Sequence, residues 1–245
     1  MRTTIVIPTY NEAGNVERLF SAIRAAVTEP AILLVDDNSP DGTADLAESL
    51  NDRFGPIQVL RRPGKAGLGA AYRAGLRRAI DDGADICIQM DADGSHPANV
   101  LPALIAIVEH GADLAIGSRY VPGGITENWP WQRRWLSRWA NRYVSAVLGL
   151  AINDATAGYR AYSAAALERM DFQTVKSNGY GFQVEMTHRL ITVGGKIVEY
   201  PIVFRDRTAG DSKMSGGIIK EALTMVIKLR VGDIRGRRER RRRGG

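Results

Sequence analysis

Ile86-Cys87-Ile88-Gln89-Met90-Asp91-Ala92-Asp93-Gly94-Ser95-His96-Pro97 decides the fold of this chain. The apolar run 86–90 predicts a buried strand, and its carboxyl end opens directly into two acids two residues apart. In an open α/β sheet, ligands bind beyond the carboxyl ends of the strands. Two carboxylates this close repel each other unless a cation lies between them. Hard divalent cations take oxygen ligands, and Mg²⁺ is commonly held by one or two carboxylates together with substrate phosphates. The expectation is a metal-bridged diphosphate site on Asp91 and Asp93. An Asp-x-Asp in isolation is equally an ordinary loop, so the flanking chain carries the weight.

Upstream, strands and helices alternate. Thr3 to Ile7 is β-rich, Pro8-Thr9-Tyr10-Asn11 a loop, and Glu12 to Val27 has helical apolar spacing. Ala31 to Val35 is a second apolar strand ending in Asp36-Asp37-Asn38-Ser39-Pro40-Asp41-Gly42, after which Thr43 is placed as the N-cap of a helix to about Leu50. Ile57 to Leu60 reads as a third strand and Gly67 to Ile80 as a helix. Downstream, Pro97 to His110 reads as a helix and Leu114 to Ile116 as a strand. This alternation implies parallel pairing in a layered α/β domain. Right-handed crossovers then bring the loops 8–12, 36–42 and 91–97 to one rim. Gly64, Gly67 and Gly69 match neither a P-loop nor a dinucleotide fingerprint, so they read as a connector, with Lys65 available to a phosphate.

The second half has a different composition. All four tryptophans, Trp129, Trp131, Trp135 and Trp139, fall within 11 residues, interleaved with Arg133, Arg134, Arg138 and Arg142. On a helix, Trp131, Trp135, Trp139, Tyr143, Val147, Leu136 and Leu150 share one broad arc, opposite Arg133, Arg134, Ser137, Arg138 and Asn141. Trp and Arg together on an amphipathic helix favour a membrane interface over packing within the domain. A second amphipathic helix is expected from Ile218 to Val231, with Ile218, Ala222, Met225, Val226 and Leu229 on its apolar face. Between the two lie Gly158-Tyr159-Arg160, a loop at 178–182, Glu185 on the following helix, a strand from Ile197 to Phe204, and the polar loop Arg205 to Lys213.

Composition narrows the function classes. The net charge of +6 over 245 residues is carried entirely by residues 235–245, which hold seven arginines and one glutamate. The body is therefore neutral, unlike a nucleic-acid-binding domain with its basic face. The basic tail, 233–245, is expected to be disordered and to touch an anionic membrane surface. No apolar run reaches 18 residues, and no leader pattern precedes the first strand. The single cysteine, Cys87, precludes an intrachain disulfide and reads as a buried, inert thiol. The three histidines are too scattered for a His-based metal site. The setting expected is cytoplasmic, peripheral at the inner face of the cell membrane.

Pro8-Thr9-Tyr10-Asn11-Glu12, Val35 to Thr43, Asp91-Ala92-Asp93, Gly117-Ser118-Arg119-Tyr120 and Arg207 to Lys213 occur in an order and spacing that resemble family 2 glycosyltransferases of GT-A fold. Among these the chain is similar to the dolichol- and polyprenol-phosphate mannose synthases, over roughly residues 3–230. The resemblance implies a Rossmann-like, mostly parallel central sheet flanked by helices. It implies one GT-A domain over 1–232, with a nucleotide-sugar half to about 120, an acceptor half over 121–215, and interface helices near 129–150 and 216–231. It implies Mg²⁺- or Mn²⁺-dependent, inverting transfer of mannose from GDP-mannose to a polyprenyl phosphate. Carried over by motif, Pro8, Tyr10, Glu12, Val35 and Asp37 hold guanosine, while Asp91, Ala92 and Asp93 hold the diphosphate through the metal. Arg207 and Lys213 clamp the donor phosphates, and Arg119, Arg133 and Ser137 receive the acceptor phosphate. Asp93, Arg119 and Arg133 are the implied catalytic set.

Two departures stand out. Ser95 occupies the place where some members put Gln as a further metal ligand, and the C-terminal transmembrane helices of some members are not seen here. A separate integral membrane partner, or purely peripheral attachment, is implied in their place. Simpler roles also fit single residues: Asp37 as a turn cap, Glu12 as a first-turn helix acid, Arg119 as a surface charge, Arg133 as a solvated helix residue, His96 as structural. Glu185 either positions a substrate hydroxyl or neutralises an arginine. Two other functions remain open at this level: a polyprenyl-phosphate transferase using a UDP-sugar such as UDP-glucose, and a non-catalytic membrane-surface scaffold.

Overall fold

The computed structural model describes residues 1–205 and 226–231. The first half alternates as expected: β1 (Thr3–Thr9), α1 (Ala13–Ala26), β2 (Ala31–Asp36), α2 (Thr43–Ser49), a short α3 (Asn51–Phe54), β3 (Ile57–Arg61), α4 (Leu68–Asp81) and β4 (Ile86–Gln89). It continues with α5 (Leu101–Glu109), β5 (Leu114–Ser118), β6 (Ile125–Glu127), the long α6 (Trp131–Leu148), β7 (Arg160–Ser163), α7 (Ala164–Arg169), α8 (Gly179–Thr192), β8 (Ile197–Pro201) and β9 (Val203–Arg205). Residues 226–231 are helical.

Seven strands form the central sheet in the order β3-β2-β1-β4-β7-β5-β8. All neighbours pair in parallel except β7, which runs antiparallel to both β4 and β5. Strands buried on both faces are apolar throughout rather than alternating, and Ile5 to Ile7 and Ile32 to Val35 are all sealed from solvent. One face packs Ile5, Ile7, Ile32 and Ile88 against α1 and α5, through Phe20, Ile23, Leu101 and Leu104. The other packs Val6, Leu33, Val35 and Cys87 against α4, α7 and α8, through Tyr72, Leu76, Leu167 and Phe182.

Two local features position the rim. After β1 the chain turns outward to β2 and β3, then crosses back through α4 to place β4 on the other side of β1. The resulting switch point lies at the carboxyl ends of β1 and β4, which is where open sheets leave a crevice. In α4, a Cβ at Gly75 would meet Val6 Cγ1 at 2.4 Å and Val35 Cγ2 at 2.6 Å. Only glycine lets the helix lie this close to β1 and β2, and that approach sets the position of Tyr72 one turn earlier.

The expected single strand 197–204 is two strands in two sheets. Ile202, 2% exposed, turns into the core between them, its amide bonded to Ser118 O and its carbonyl to Ile125 N. Val203–Arg205 then pairs in parallel with Ile125–Glu127. The expected loop at 178–182 is largely the first turn of α8. Thr43 is the first helical residue of α2, not its cap. Gly42 takes the cap position with φ 78°, a left-handed conformation that suits glycine.

Candidate active site

The rim loops after β1 and β2 are stitched together by side chains. Asp36 accepts from Thr9 Oγ1 (3.0 Å), Ser39 Oγ (2.5 Å) and the Ser39 amide, closing the turn after β2. Asp41 accepts from Thr43 and from the Ala13 amide, while Thr43 Oγ1 accepts from the Glu12 amide at 3.0 Å. Burial works against the Asp41 charge, but these donors outweigh it and hold its pKa below the ordinary value. Asp37 is 6% exposed and ion-paired to Arg62. Burial pushes its pKa up from the ordinary value, against the pull of Arg62. Tyr10 stands partly exposed at the rim, with the Lys65 ammonium 4.2 Å over its ring. Pro8 and Val35 are register partners in β1 and β2. The Val35 side chain is fully buried beneath α4. Glu12 caps α1 and accepts from Asn15 Nδ2 at 2.7 Å.

The acid pair sits at the switch point. Asp91 Oδ1 accepts from the hydroxyl of Tyr72 at 2.8 Å. Tyr72 is fully buried, and burial together with the Asp91 charge pushes its pKa well above the ordinary value, so it stays a proton donor. The Asp91 amide donates to His96 Nδ1 at 3.0 Å, which assigns the imidazole proton to Nε2, 3.9 Å from Asp91 Oδ2. Asp93 Oδ1 accepts from the Ser95 amide at 3.0 Å, and Ala92 between the two acids is buried. A Cβ at Gly158 would stand 3.7 Å from Asp91 Oδ2, so glycine leaves room at that oxygen. Among the described residues no set of three His, Cys, Asp or Glu side chains is assembled for a metal. Two carboxylates with space beside them nonetheless fit a hard divalent cation that completes its shell with substrate phosphates.

Across the crevice the groups are cationic. Arg119, at the end of β5, is 6% exposed and grips Asp154 through Nε (2.7 Å) and Nη2 (2.6 Å), while its amide bonds the same carboxylate at 2.9 Å. Burial opposes the Arg119 charge, but Asp154 outweighs it and the guanidinium pKa stands above its ordinary value. Asp154 is itself fully buried, and Glu199 on β8 accepts from its amide at 2.9 Å. The loop carrying Asp154 and Gly158 is pinned from below by the fully buried Arg160, which donates to the carbonyls of Ala155 and Ala157, each at 2.7 Å. Arg133 lies 4.0 Å over the ring of Trp129, and Ser137 accepts from the Tyr120 hydroxyl at 2.6 Å. Aromatic rings join the two sides. His96 lies edge-on to Phe204 at 6.0 Å, and the Phe204 ring is 5.5 Å from the Arg119 guanidinium and 5.6 Å from Trp129.

A family model described as Glycosyl transferase family 2 matches residues 4–171. The chain belongs to this family. Polyprenol monophosphomannose synthase of Mycolicibacterium smegmatis is 48% identical over 245 residues, covering 98% of this chain and 90% of the relative. Undecaprenyl-phosphate mannosyltransferase of Micrococcus luteus is 47% identical over 228 residues, covering 93% of each. Dolichol-phosphate mannosyltransferase of Pyrococcus furiosus is 37% identical over 94% of this chain and 64% of its own length. Among solved structures, glucosyl-3-phosphoglycerate synthase of Mycobacterium tuberculosis, crystallised with Mn²⁺, UDP-glucose and phosphoglyceric acid, matches with a TM-score of 0.69 at 18% identity. That likeness covers 94% of this chain and 80% of the other. It is a likeness of fold, and it agrees with the GT-A architecture expected of a family 2 glycosyltransferase.

Within this glycosyltransferase fold several sequence readings change. Arg119 is not a surface charge: its fork is already engaged by Asp154, and Nη1 is the terminal nitrogen with no bonded partner among the described residues. Glu185 satisfies an arginine, accepting from Arg189 through Oε1 and from Ser177 through Oε2. On α6 the three tryptophans of the expected interface arc point away from the protein, whereas Tyr143, Val147 and Leu150 of the same arc pack against its core. Trp131, Trp135 and Trp139 are 67%, 63% and 42% exposed, whereas Asn141, on the opposite polar arc, is 1% exposed and bonds Thr156. In the second expected interface helix, only 226–231 is described. There Val226 is fully buried in the domain core and Leu229 packs against it, so these two residues of its apolar face meet the protein's own body. Arg207, Lys213 and the basic tail lie outside the described residues. Tyr72, Arg62, Asp154 and Glu199 escaped the sequence reading because each acts on a partner far along the chain. The isolated sequence carries no local signal for any of them.

Proposed function

We propose that this enzyme transfers mannose from GDP-mannose to a polyprenyl phosphate, with inversion at the anomeric carbon. The two relatives at 47–48% identity, whose names specify that class of reaction, support the sugar and the acceptor. The observation that carries the reading is the crevice itself. An acid pair at the sheet switch point faces an arginine cluster through a shared aromatic wall.

The acceptor is a phosphate monoester, mostly dianionic at neutral pH because its second pKa is about 6. It needs no protein base to become a nucleophile. One of its oxygens attacks the anomeric carbon, the bond from that carbon to the diphosphate oxygen breaks, and an α-linked donor yields a β-linked lipid phosphate. Positioning is the main task left to the protein. Arg119, fixed by Asp154, and Arg133, stacked on Trp129, present guanidinium groups to the acceptor phosphate, with Ser137 beside them. Arginine suits this role because its planar fork matches phosphate oxygens. Pro8, Tyr10, Glu12 and Asp37 frame the guanosine end, and Lys65 over Tyr10 adds a cation there. Asp91 and Asp93 would hold a divalent ion, Mg²⁺ or Mn²⁺, which supplies charge neutralisation to the departing diphosphate. Tyr72 and His96 hold Asp91 in place for that role. Arg207 and Lys213 remain proposed donor-phosphate contacts.

The exposed tryptophan stripe of α6 supports peripheral attachment to the membrane that contains the acceptor, since indoles favour headgroup depth. No described helix is long and apolar enough to cross a membrane. The deciding assay supplies purified protein with polyprenyl phosphate, Mg²⁺ or Mn²⁺, and labelled GDP-mannose beside labelled UDP-glucose. Label is expected in lipid from GDP-mannose alone. Label from the UDP-sugar alone overturns the donor, and no lipid label from either overturns the reaction.

A further inference from the structure

We infer that α6 carries a second anion site, separate from the acceptor phosphate's place, that takes the headgroup of an anionic phospholipid. The inference rests on the membrane reading above. A cavity of about 410 Å³ opens beside the helix, lined by Tyr120, Arg138, Arg142, Leu150, Ile152 and Asn153. Arg138 and Arg142 lie one turn apart, a spacing at which two side chains on one helix face can meet a common partner. Among the described residues no carboxylate pairs with either. Arg138 rests 5.7 Å over the Tyr120 ring. The nearby Glu199 carboxylate is occupied by the Asn153 amide and side chain and by the Asp154 amide. Leu150 and Ile152, 7% and 8% exposed, give the cavity an apolar floor. Cationic walls over an apolar floor match a phosphodiester with its glycerol carbons better than a free phosphate ion.

The placement points to a lipid. At 100° per residue, Arg142 falls about 20° of arc from Trp135, and Arg138 about 20° from Trp131. Both arginines, Arg138 included despite its expected place on the opposite arc, therefore flank the outward tryptophan stripe, at the depth where indoles and phospholipid phosphates coincide. Ser137 and Arg133, proposed for the acceptor, lie roughly 100–180° around the helix from them. Tyr120 is the partition between the two sites, with its hydroxyl on Ser137 and its ring under Arg138.

The test uses the full chain, wild type beside Arg138→Gln/Arg142→Gln, with Arg138→Lys/Arg142→Lys as a charge-retaining control. Flotation with phosphatidylcholine vesicles, with and without phosphatidylglycerol, measures the anionic-lipid gain in binding. The double Gln variant is expected to lose about tenfold of that gain, to bind neutral vesicles as wild type does, and to be partly rescued by the Lys pair. An undiminished gain overturns the inference. A raised KM for detergent-solubilised polyprenyl phosphate in the Gln variant also overturns it, by assigning the cavity to the acceptor. If wild type binds no vesicle, the membrane reading fails by itself, and tryptophan fluorescence with short-chain phosphatidylglycerol decides the cavity. Saturation that the Gln variant loses, and that equal inorganic phosphate does not reproduce, upholds the site. Equal response to inorganic phosphate, or no response to either, overturns it.

Discussion

On the side of the crevice built from β1, β2 and β4, the polar groups are carboxylates held chiefly by amides and hydroxyls of the rim turns and of Tyr72, with one ion pair, Asp37 to Arg62. On the side built from β5, β7 and α6, they are arginines held by a carboxylate 35 residues away and by aromatic rings. The acid side can lose a charge without losing its scaffold, because β4 and its neighbours pack regardless. The basic side cannot, because Arg119 and Asp154 are both buried and the charge of each is compensated chiefly by the other, with Thr156 bonded to both. One half of the site is organised by turns and the other by tertiary ion pairing. Substitutions should therefore separate activity from stability differently in the two halves.

The sharpest break would come at Asp91. Asp91→Asn keeps the shape and removes the charge, and labelled-mannose transfer should fall about 10³-fold with an unchanged melting temperature. Retained turnover would remove the acid half of the comparison. Asp154→Ala should act the other way round. Breaking a buried pair by removing one partner costs about 3 kcal/mol or more, read as a lower urea midpoint, and the KM for polyprenyl phosphate should rise as Arg119 loses its anchor. Normal stability in this variant would show that Arg119 reaches water and that the pair is not structural.

Smaller effects refine the contrast. Tyr72→Phe removes only the hydroxyl on Asp91, and loss of such a supporting contact typically costs about 10-fold or more in metal affinity or activity. The expected signature is a higher half-saturating Mn²⁺ concentration with little change in acceptor KM. A change confined to acceptor KM would place Tyr72 with the wrong half. The least disruptive probe is Cys87, on the strand beneath the acids. Burial pushes its thiol up from 9.0 to about 12, so thiol reagents at pH 8 should leave it unlabelled until the protein unfolds. Because the folded value exceeds the unfolded one, this group adds no penalty below pH 9 and erodes stability as pH climbs from 9 towards 12. Rapid native labelling would mean that β4 opens to water.

The half held by turns was largely legible in the chain. Asp91 and Asp93 follow a five-residue stretch that is apolar but for Gln89, and Asp36 to Thr43 is dense in turn formers, so both strand exits could be placed from local pattern. The sheet's reversal at β7 was not, because Arg160-Ala161-Tyr162-Ser163 is short and its direction depends on the long excursion through α6. Nor was the split at Ile202, where one buried side chain between two sheets ends one strand and starts another. Val35 lies between the two. Its motif position implies a guanosine contact, and the strand's alternation turns its side chain under Gly75, which leaves such a contact to its backbone.

Periodicity and motif spacing alone determined the layered α/β architecture, the carboxylate pair at a strand exit and the aromatic–arginine helix, since each is written in residues close together along the chain. Only the tertiary structure decided that Trp131, Trp135 and Trp139 face outward while Trp129 and Asn141 are buried, that Asp154 rather than solvent neutralises Arg119, and that Tyr72 supports Asp91. Those outcomes depend on which surfaces lose water when distant segments meet, and a buried charge or hydroxyl takes whatever partner the packing brings within reach.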